Sequence, residues 1–283
     1  MAGYLTVTAR ERRNTRQYLF SRFVRLYPVY WILLVMLLIM GSKITLVEFL
    51  LNMTMLQHFL RSKIHIMNGG VWMMPMMLAF FTLIAITGVK FFSKSKNTPL
   101  IVILIIMILA LITSYIRFKT GRRFPTAFFL LTAVAFIGMY YYEMTHDGTI
   151  TSFNFICTLV LFELLFVISV YLSYCKPLAG ASNPVAYIIS YNAGFLIFFI
   201  ASKLKFSFSP LNKIGDISYV MFLSHGHFLS FMGKFFPLKG LNYSSCINFL
   251  ITFTVVVIFS YLVTHFIEKP IVKFGKQFEK KLA

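Results

Sequence analysis

Charge is scarce in this chain, and acid scarcer still: 12% of its residues are charged, and only 8 of the 283 are Asp or Glu. A water-facing domain carries roughly a quarter of its residues charged, so the composition excludes one. Cysteine is scarce as well. Cys157, Cys175 and Cys246 show neither a Cys-x-x-Cys pair nor zinc-like spacing, which argues against a cysteine-built metal centre or a disulfide framework. Cys157 reads as a small packing residue inside an apolar run. Cys175 and Cys246 are expected near one membrane face, which leaves a bridge between them open. Internal repeats, low-complexity tracts and a second, soluble domain are also absent from the sequence.

What the chain has in quantity is apolar and aromatic surface: 59% hydrophobic, 18% aromatic, with a mean hydropathy of +0.80. That composition describes an all-α, polytopic bundle buried in lipid, where only helices or closed barrels satisfy the backbone. A net charge of +19 would suit nucleic acid if the cations formed one face. They sit instead in short clusters between apolar runs, as membrane anchors, so no nucleic-acid partner is expected.

Apolar runs near 27–41, 71–92, 99–117, 124–142, 152–174, 185–203, 217–236 and 246–267 approach the length needed to cross ~30 Å of hydrocarbon, which predicts about eight transmembrane helices. Residues 44–60 form a weaker run broken by Glu48, Asn52, Gln57 and His58. It is read as interfacial or re-entrant, with a ninth span as the alternative. An even count puts both termini on one side. Both carry dense positive charge, from Arg10 to Arg25 and from Lys269 to Lys281, so both are expected in the cytoplasm. The middle fits less well, because Arg117, Lys119, Arg122 and Arg123 then fall in an outer loop and Glu143 and Asp147 in an inner one. The expected layout is a single membrane domain over 1–283, with basic cytoplasmic segments at 1–26 and 268–283.

Four stretches carry chemistry. The first is Arg22-Phe-Val-Arg25-Leu-Tyr27-Pro28-Val-Tyr30-Trp31. Residues three apart share a helix face, so two permanently charged, planar guanidinium groups can meet one phosphate there. Tyr27, Tyr30 and Trp31 suit the headgroup level. The second is Ile214-Gly215-Asp216-Ile217-Ser218-Tyr219, followed by Phe222-Leu223-Ser224-His225. The third is Phe266-Ile267-Glu268-Lys269-Pro270, and the fourth is Trp72-Met73-Met74-Pro75-Met76-Met77.

In residue type, order and spacing these stretches resemble the acyltransferase-3 family of integral-membrane O-acyltransferases, from Gly3-Tyr4-Leu5-Thr6 to the closing Ile-Glu-Lys-Pro. The resemblance implies a ten-helix fold whose members move an acyl group, usually acetyl from cytoplasmic acetyl-CoA, onto a sugar hydroxyl on the far side. The eight runs here correspond to that fold without its first helix and most of its second. The expected acceptor is a surface polysaccharide or lipid-linked sugar, the partners are lipid and acyl-CoA, and the location is a bacterial inner membrane. Arg22 and Arg25 are expected to hold the coenzyme A phosphates; Trp72, Ser218, Tyr219 and Glu268 are further site candidates.

Two departures from the family pattern lead us to expect weak or no activity from this chain. The family's proposed catalytic histidine, placed ten residues after a basic residue in the first helix, has no counterpart among the six histidines. Met77 stands where the family has glutamate, and a thioether neither accepts a proton nor holds a cation. His225, within a span, is therefore the catalytic candidate. It sits roughly 10 Å along the axis from Ser218, too far for direct activation, so it should bond a neighbouring helix or line a tunnel. His227 faces elsewhere and reads as structural or lipid-facing. Glu163, deep in a span, is a functional candidate by its placement, with Asn192 on another span as a partner. No metal site is expected. The alternatives are a polytopic carrier for a lipid-linked sugar or anion, and an inactive membrane partner of a glycan-modifying enzyme.

Overall fold

The computed structural model describes residues 2–39, 45–55, 73–88, 97–121, 126–146, 148, 150–176, 183–204, 208–236 and 243–281. Among them there is no strand. The helices are α1 (Ala2–Glu11), α2 (Thr15–Ile39), α3 (Leu46–Met53), α4 (Met73–Thr87), α5 (Thr98–Thr120), α6 (Thr126–His146), α7 (Ser152–Tyr174), α8 (Pro184–Lys203), α9 (Ser209–Met232), α10 (Tyr243–Val263) and α11 (Lys269–Lys281), with a π-turn at Thr264–Glu268 before α11. Each of the eight expected spans corresponds to one helix from α2 or from α4 to α10. Among the described residues six helical stretches are long and apolar enough to cross a membrane, α4 supplies a shorter apolar one, and α9, expected as a span, is not among them. The protein is an all-α integral membrane bundle.

Two compact units emerge from the contacts. The first comprises Met1–Thr15 and Ala79–Lys205. Its axis is α6, on which Ala133, Phe136, Ile137 and Tyr140 through Glu143 are buried. Helix α1 lies against α6 so closely that a Cβ on Gly3 would fall 1.8 Å from the Ala135 carbonyl oxygen. Without a hydrophobic drive between helices in lipid, such small-residue contacts let backbones approach. Arg10 and Thr15 each donate to the Ala85 carbonyl of α4 at 3.2 Å. Helices α5 and α7 are joined by Ser173 donating to Ser114 at 3.0 Å. Gly121, at φ +65°, ends α5 in the left-handed conformation, and Thr151 caps α7 by accepting from the Asn154 N–H.

Within the basic segment 1–26, helix α1 buries Thr6 and Val7. Two expectations are corrected in this unit. Arg117 and Glu143, expected in loops, lie inside α5 and α6 and are both buried, because helical periodicity extends past the apolar run and carries them onto packed faces. Cys157 is exposed rather than packed, and all three cysteines are free thiols.

The second unit comprises Arg16–Leu78 and Phe206–Ala283. Helix α3 begins with a capping box, in which Thr45 and Glu48 bond each other's backbone N–H. At eight residues it is too short to span the hydrocarbon. It is fastened to α2 by the Tyr30 hydroxyl donating to the Asn52 carbonyl at 2.8 Å and Trp31 Nε1 donating to the Met53 carbonyl at 3.0 Å. Tyr30, expected at headgroup level, is thereby fully buried. Asn248 Nδ2 of α10 donates to the Phe236 carbonyl at 2.7 Å and closes the α9–α10 hairpin. Helix α11 returns to α2: Gly275 abuts Val24, and Gln17 donates to the Glu279 carbonyl at 3.3 Å.

Candidate functional site

Three of the four motif stretches, far apart in sequence, meet within the second unit. The Tyr219 hydroxyl of α9 donates to the Leu26 carbonyl of α2, the residue after Arg25. Arg25 lies within electrostatic range of both Tyr219 and Glu268. Lys269 Nζ stands 3.3 Å from Asp216 Oδ2 and ties the start of α11 to α9. That ion pair is more than half exposed, so it contributes little to stability. Its effect is positional.

Glu268 is placed by local sequence. Pro270 has no N–H for the carbonyl four residues back, and the helix widens just ahead of it: the Lys269 N–H bonds the Thr264 carbonyl, five residues earlier. This puts the Glu268 carboxylate in a buried position, where it accepts from Thr264 Oγ1 at 3.2 Å. Arg25, Lys269 and Asp216 are its charged neighbours.

The two arginines differ. Arg22 is half-buried, its guanidinium 5.0 Å above the ring of Tyr18 one turn earlier. Arg25 is exposed. Tyr27 stacks on Phe23 at 4.7 Å and meets Trp31 edge-on at 5.5 Å, an aromatic ridge along the same helix. One cation is thus oriented by a ring and the other reaches outward, an arrangement able to hold a multiply charged anion such as a pyrophosphate.

Beyond this polar layer α2 and α9 run in the same direction and border a cavity of about 110 Å³ lined by Leu33, Met36, Leu37, Ser224, His227, Phe228 and Phe231. Its walls on α2 begin two to three turns past Arg25, ~12–18 Å along the axis at the helical rise. His227 Nε2 is buried and has no hydrogen-bond partner among the described residues.

The other candidates are placed as follows. His225 is exposed, and its Nδ1 bonds the Phe222 and Met221 carbonyls of its own helix at 2.8 and 3.3 Å. It neither bonds another described helix nor lines this cavity, because the cavity-facing stripe is Ser224, His227, Phe228 and Phe231. Ser218 is exposed and donates to the Gly215 carbonyl at 2.7 Å. Glu163 accepts from Asn192 Nδ2 at 3.3 Å between α7 and α8, in the other unit. Trp72 lies outside the described residues. Met77 is half-buried in α4. Among the described residues no group of three or more His, Cys, Asp or Glu could hold a metal ion.

Sequence reasoning missed Asp216, Lys269 and His227 as site residues. Asp216 and Lys269 stood inside the quoted motifs, and charge in so apolar a chain was the available signal. For His227 the signal was the spacing of polar and aromatic residues at i, i+3, i+4 and i+7 from Ser224. Residues 1–265 match the family model for acyltransferase 3, described as an acyltransferase domain. No curated protein and no solved structure matches the chain.

Proposed function

Because this chain belongs to the acyltransferase-3 family, we propose that it handles acetyl-CoA as donor and directs the acetyl group to a hydroxyl of a surface saccharide or lipid-linked sugar. In this reading both termini face the cytoplasm of a bacterial cell, at its inner membrane, and the donor enters at the Arg22 and Arg25 end of α2. The observation that carries the reading is the convergence of Arg25, Tyr219 and Glu268 from three helical segments.

The phosphates of coenzyme A are held by Arg22 and Arg25, and the flexible arm extends along α2 into the cavity that His227 borders. A cavity of about 110 Å³ is smaller than the ~150 Å³ apolar cavity that admits benzene, so it suits a short acyl group. In the reaction the acceptor oxygen bonds to the thioester carbonyl carbon, its proton goes to a base, the carbon–sulfur bond breaks, and the departing thiolate takes up the proton. His227 Nε2 is the proposed base at the thioester; His225, on the outward stripe, is the alternative on the acceptor side. Met77 supplies no base, so turnover is expected to be weak.

Two measurements test this reading. Acetyl-CoA should raise the thermal unfolding temperature of the purified protein, and the Arg22→Ala, Arg25→Ala double variant should lose the effect. Membranes containing the protein should O-acetylate an added saccharide slowly. Absence of any protection by acetyl-CoA would overturn the donor assignment and leave transport of an anionic or sugar-bearing lipid as the better account.

A further inference from the structure

Arg117 lies in the last turn of α5 at 8% exposure, in the first unit. Its Nε is buried without a hydrogen-bond partner, and it forms no ion pair, among the described residues. Its recorded neighbour is the ring of Tyr174, 5.0 Å from the guanidinium carbon. A ring beneath a cation recovers only part of what a guanidinium loses on leaving water. In a membrane protein, an ionised side chain left in that condition marks a ligand or a pathway by default.

The surroundings point to the sign and kind of ligand. Helices α5 and α7 run in the same direction, with Ser114 against Ser173 and Arg117 against Tyr174, so their C-terminal ends lie together. Lys176 joins Arg117 there, donating to the Phe118 carbonyl at 3.0 Å with its ammonium 4.0 Å from the Phe118 ring. Lys119 adds a third cation on α5, 5.7 Å over Tyr115. No carboxylate is recorded against these three among the described residues. Tyr174 is stacked face to face on Tyr187 of α8, centroids 4.4 Å apart and 5° from parallel. A cation cluster backed by a rigid aromatic pair at the end of membrane helices fits the phosphate of an amphiphile: the cations meet the oxygens, and the ring pair meets an apolar or sugar face.

We propose that the shared end of α5, α7 and α8 is a phosphate-binding site, centred on Arg117, for a lipid-borne phosphate. The phosphate comes from one of two sources, an anionic phospholipid headgroup or the phosphate that joins a sugar to its lipid. Only the second source rests on the acyl-transfer reading.

The test uses the full chain, purified and delipidated in an uncharged detergent, with Arg117→Met and Arg117→Lys beside the wild type. Unfolding temperature is titrated with phosphatidylglycerol, with phosphatidylcholine as a zwitterionic control, and with a polyprenyl-phosphate sugar, and native mass spectrometry counts retained lipid. The wild type should bind one anionic phosphate lipid at least tenfold more tightly than Arg117→Met, with Arg117→Lys in between. Without lipid, Arg117→Met should unfold at nearly the same temperature, because Met keeps the apolar stem and loses only the contact with the Tyr174 ring. A tenfold preference for the sugar phosphate assigns the site to the acceptor, and equal response to phosphatidylglycerol assigns it to the headgroup. If Arg117→Met responds to every phosphate lipid as the wild type does, or is less stable or unfolded in lipid-free detergent, Arg117 is satisfied by the fold and the proposal fails. Acetyl-CoA protection is read in the same samples, so loss of either effect alone separates this site from the donor site.

Discussion

The Tyr219 hydroxyl donates to the backbone carbonyl of Leu26, so the second motif stretch is fastened to the first at the residue beside Arg25. A carbonyl in mid-helix already accepts an N–H from the next turn, and this one takes a second donor on its remaining lone pair. The bond holds α9 to α2 where the two begin to border the apolar cavity.

Replacing Tyr219 by Phe removes that donor and keeps the ring. A net loss of about 1 kcal/mol is expected, seen as a modest fall in unfolding temperature and an about fivefold weaker response to acetyl-CoA. A thermal-shift titration reads both. Unchanged coenzyme response would mean that Tyr219 does not position Arg25.

Gly3 and Gly194 should respond to alanine with opposite signs. At Gly3 the new methyl meets the Ala135 backbone, which no side-chain rotation relieves, and overpacking of this kind costs about 1–3 kcal/mol. At Gly194, in α8, nothing lies within 4 Å, so alanine should stabilise by up to ~1 kcal/mol through helix propensity. Comparing the unfolding temperatures of the two variants decides it; a stabilising Gly3→Ala would contradict the packing of α1 on α6.

Glu163→Gln keeps an oxygen for Asn192 Nδ2 and removes a carboxylate from apolar surroundings. Asn192 also donates to the Ile188 carbonyl at 3.1 Å, so it retains a partner in any variant. Stability should match the wild type within about 1 kcal/mol. If Glu163→Gln instead abolishes acetyl transfer or coenzyme protection while the fold persists, Glu163 belongs to the working machinery and not to the α7–α8 contact.

The three cysteines are free. Reducing and non-reducing gels of the purified protein should coincide. In detergent, N-ethylmaleimide should modify Cys175, at the end of α7, faster than Cys157 within the span, because the reacting thiolate forms where water reaches it. A band shift without reductant would show a bridge that the structure does not contain.

Much of the candidate site was legible because its residues are costly to keep in a membrane. Arg22, Arg25 and Glu268 stand out from so apolar a chain, and charge there needs a reason. Side-chain direction was the part that could not be read. His225 and His227 are two positions apart, so a helix must turn them to different faces; which face borders a cavity depends on where α2 packs. Tyr30 looked like an interfacial aromatic, and whether its hydroxyl meets headgroups or the Asn52 carbonyl depends on where α3 folds back. Span boundaries were blurred for a related reason: hydropathy marks where lipid contact ends, while a helix continues until its backbone is capped, which is how Arg117 and Glu143 came to lie inside helices.

By itself the sequence determined that this is a helical membrane protein of about eight apolar runs, since backbone groups in lipid must bond within their own segment and the runs are long enough to do so. It also singled out Arg22, Arg25, Glu163 and Glu268 as site candidates, through the rarity of charge in so apolar a chain. Tertiary structure alone decided that Arg25, Tyr219 and Glu268 share one place, that His227 and not His225 borders the cavity, and that Arg117 is buried without a counter-charge among the described residues. Those outcomes depend on which helices lie side by side and on the rotation of each about its axis, and both are set by packing between segments far apart in the chain.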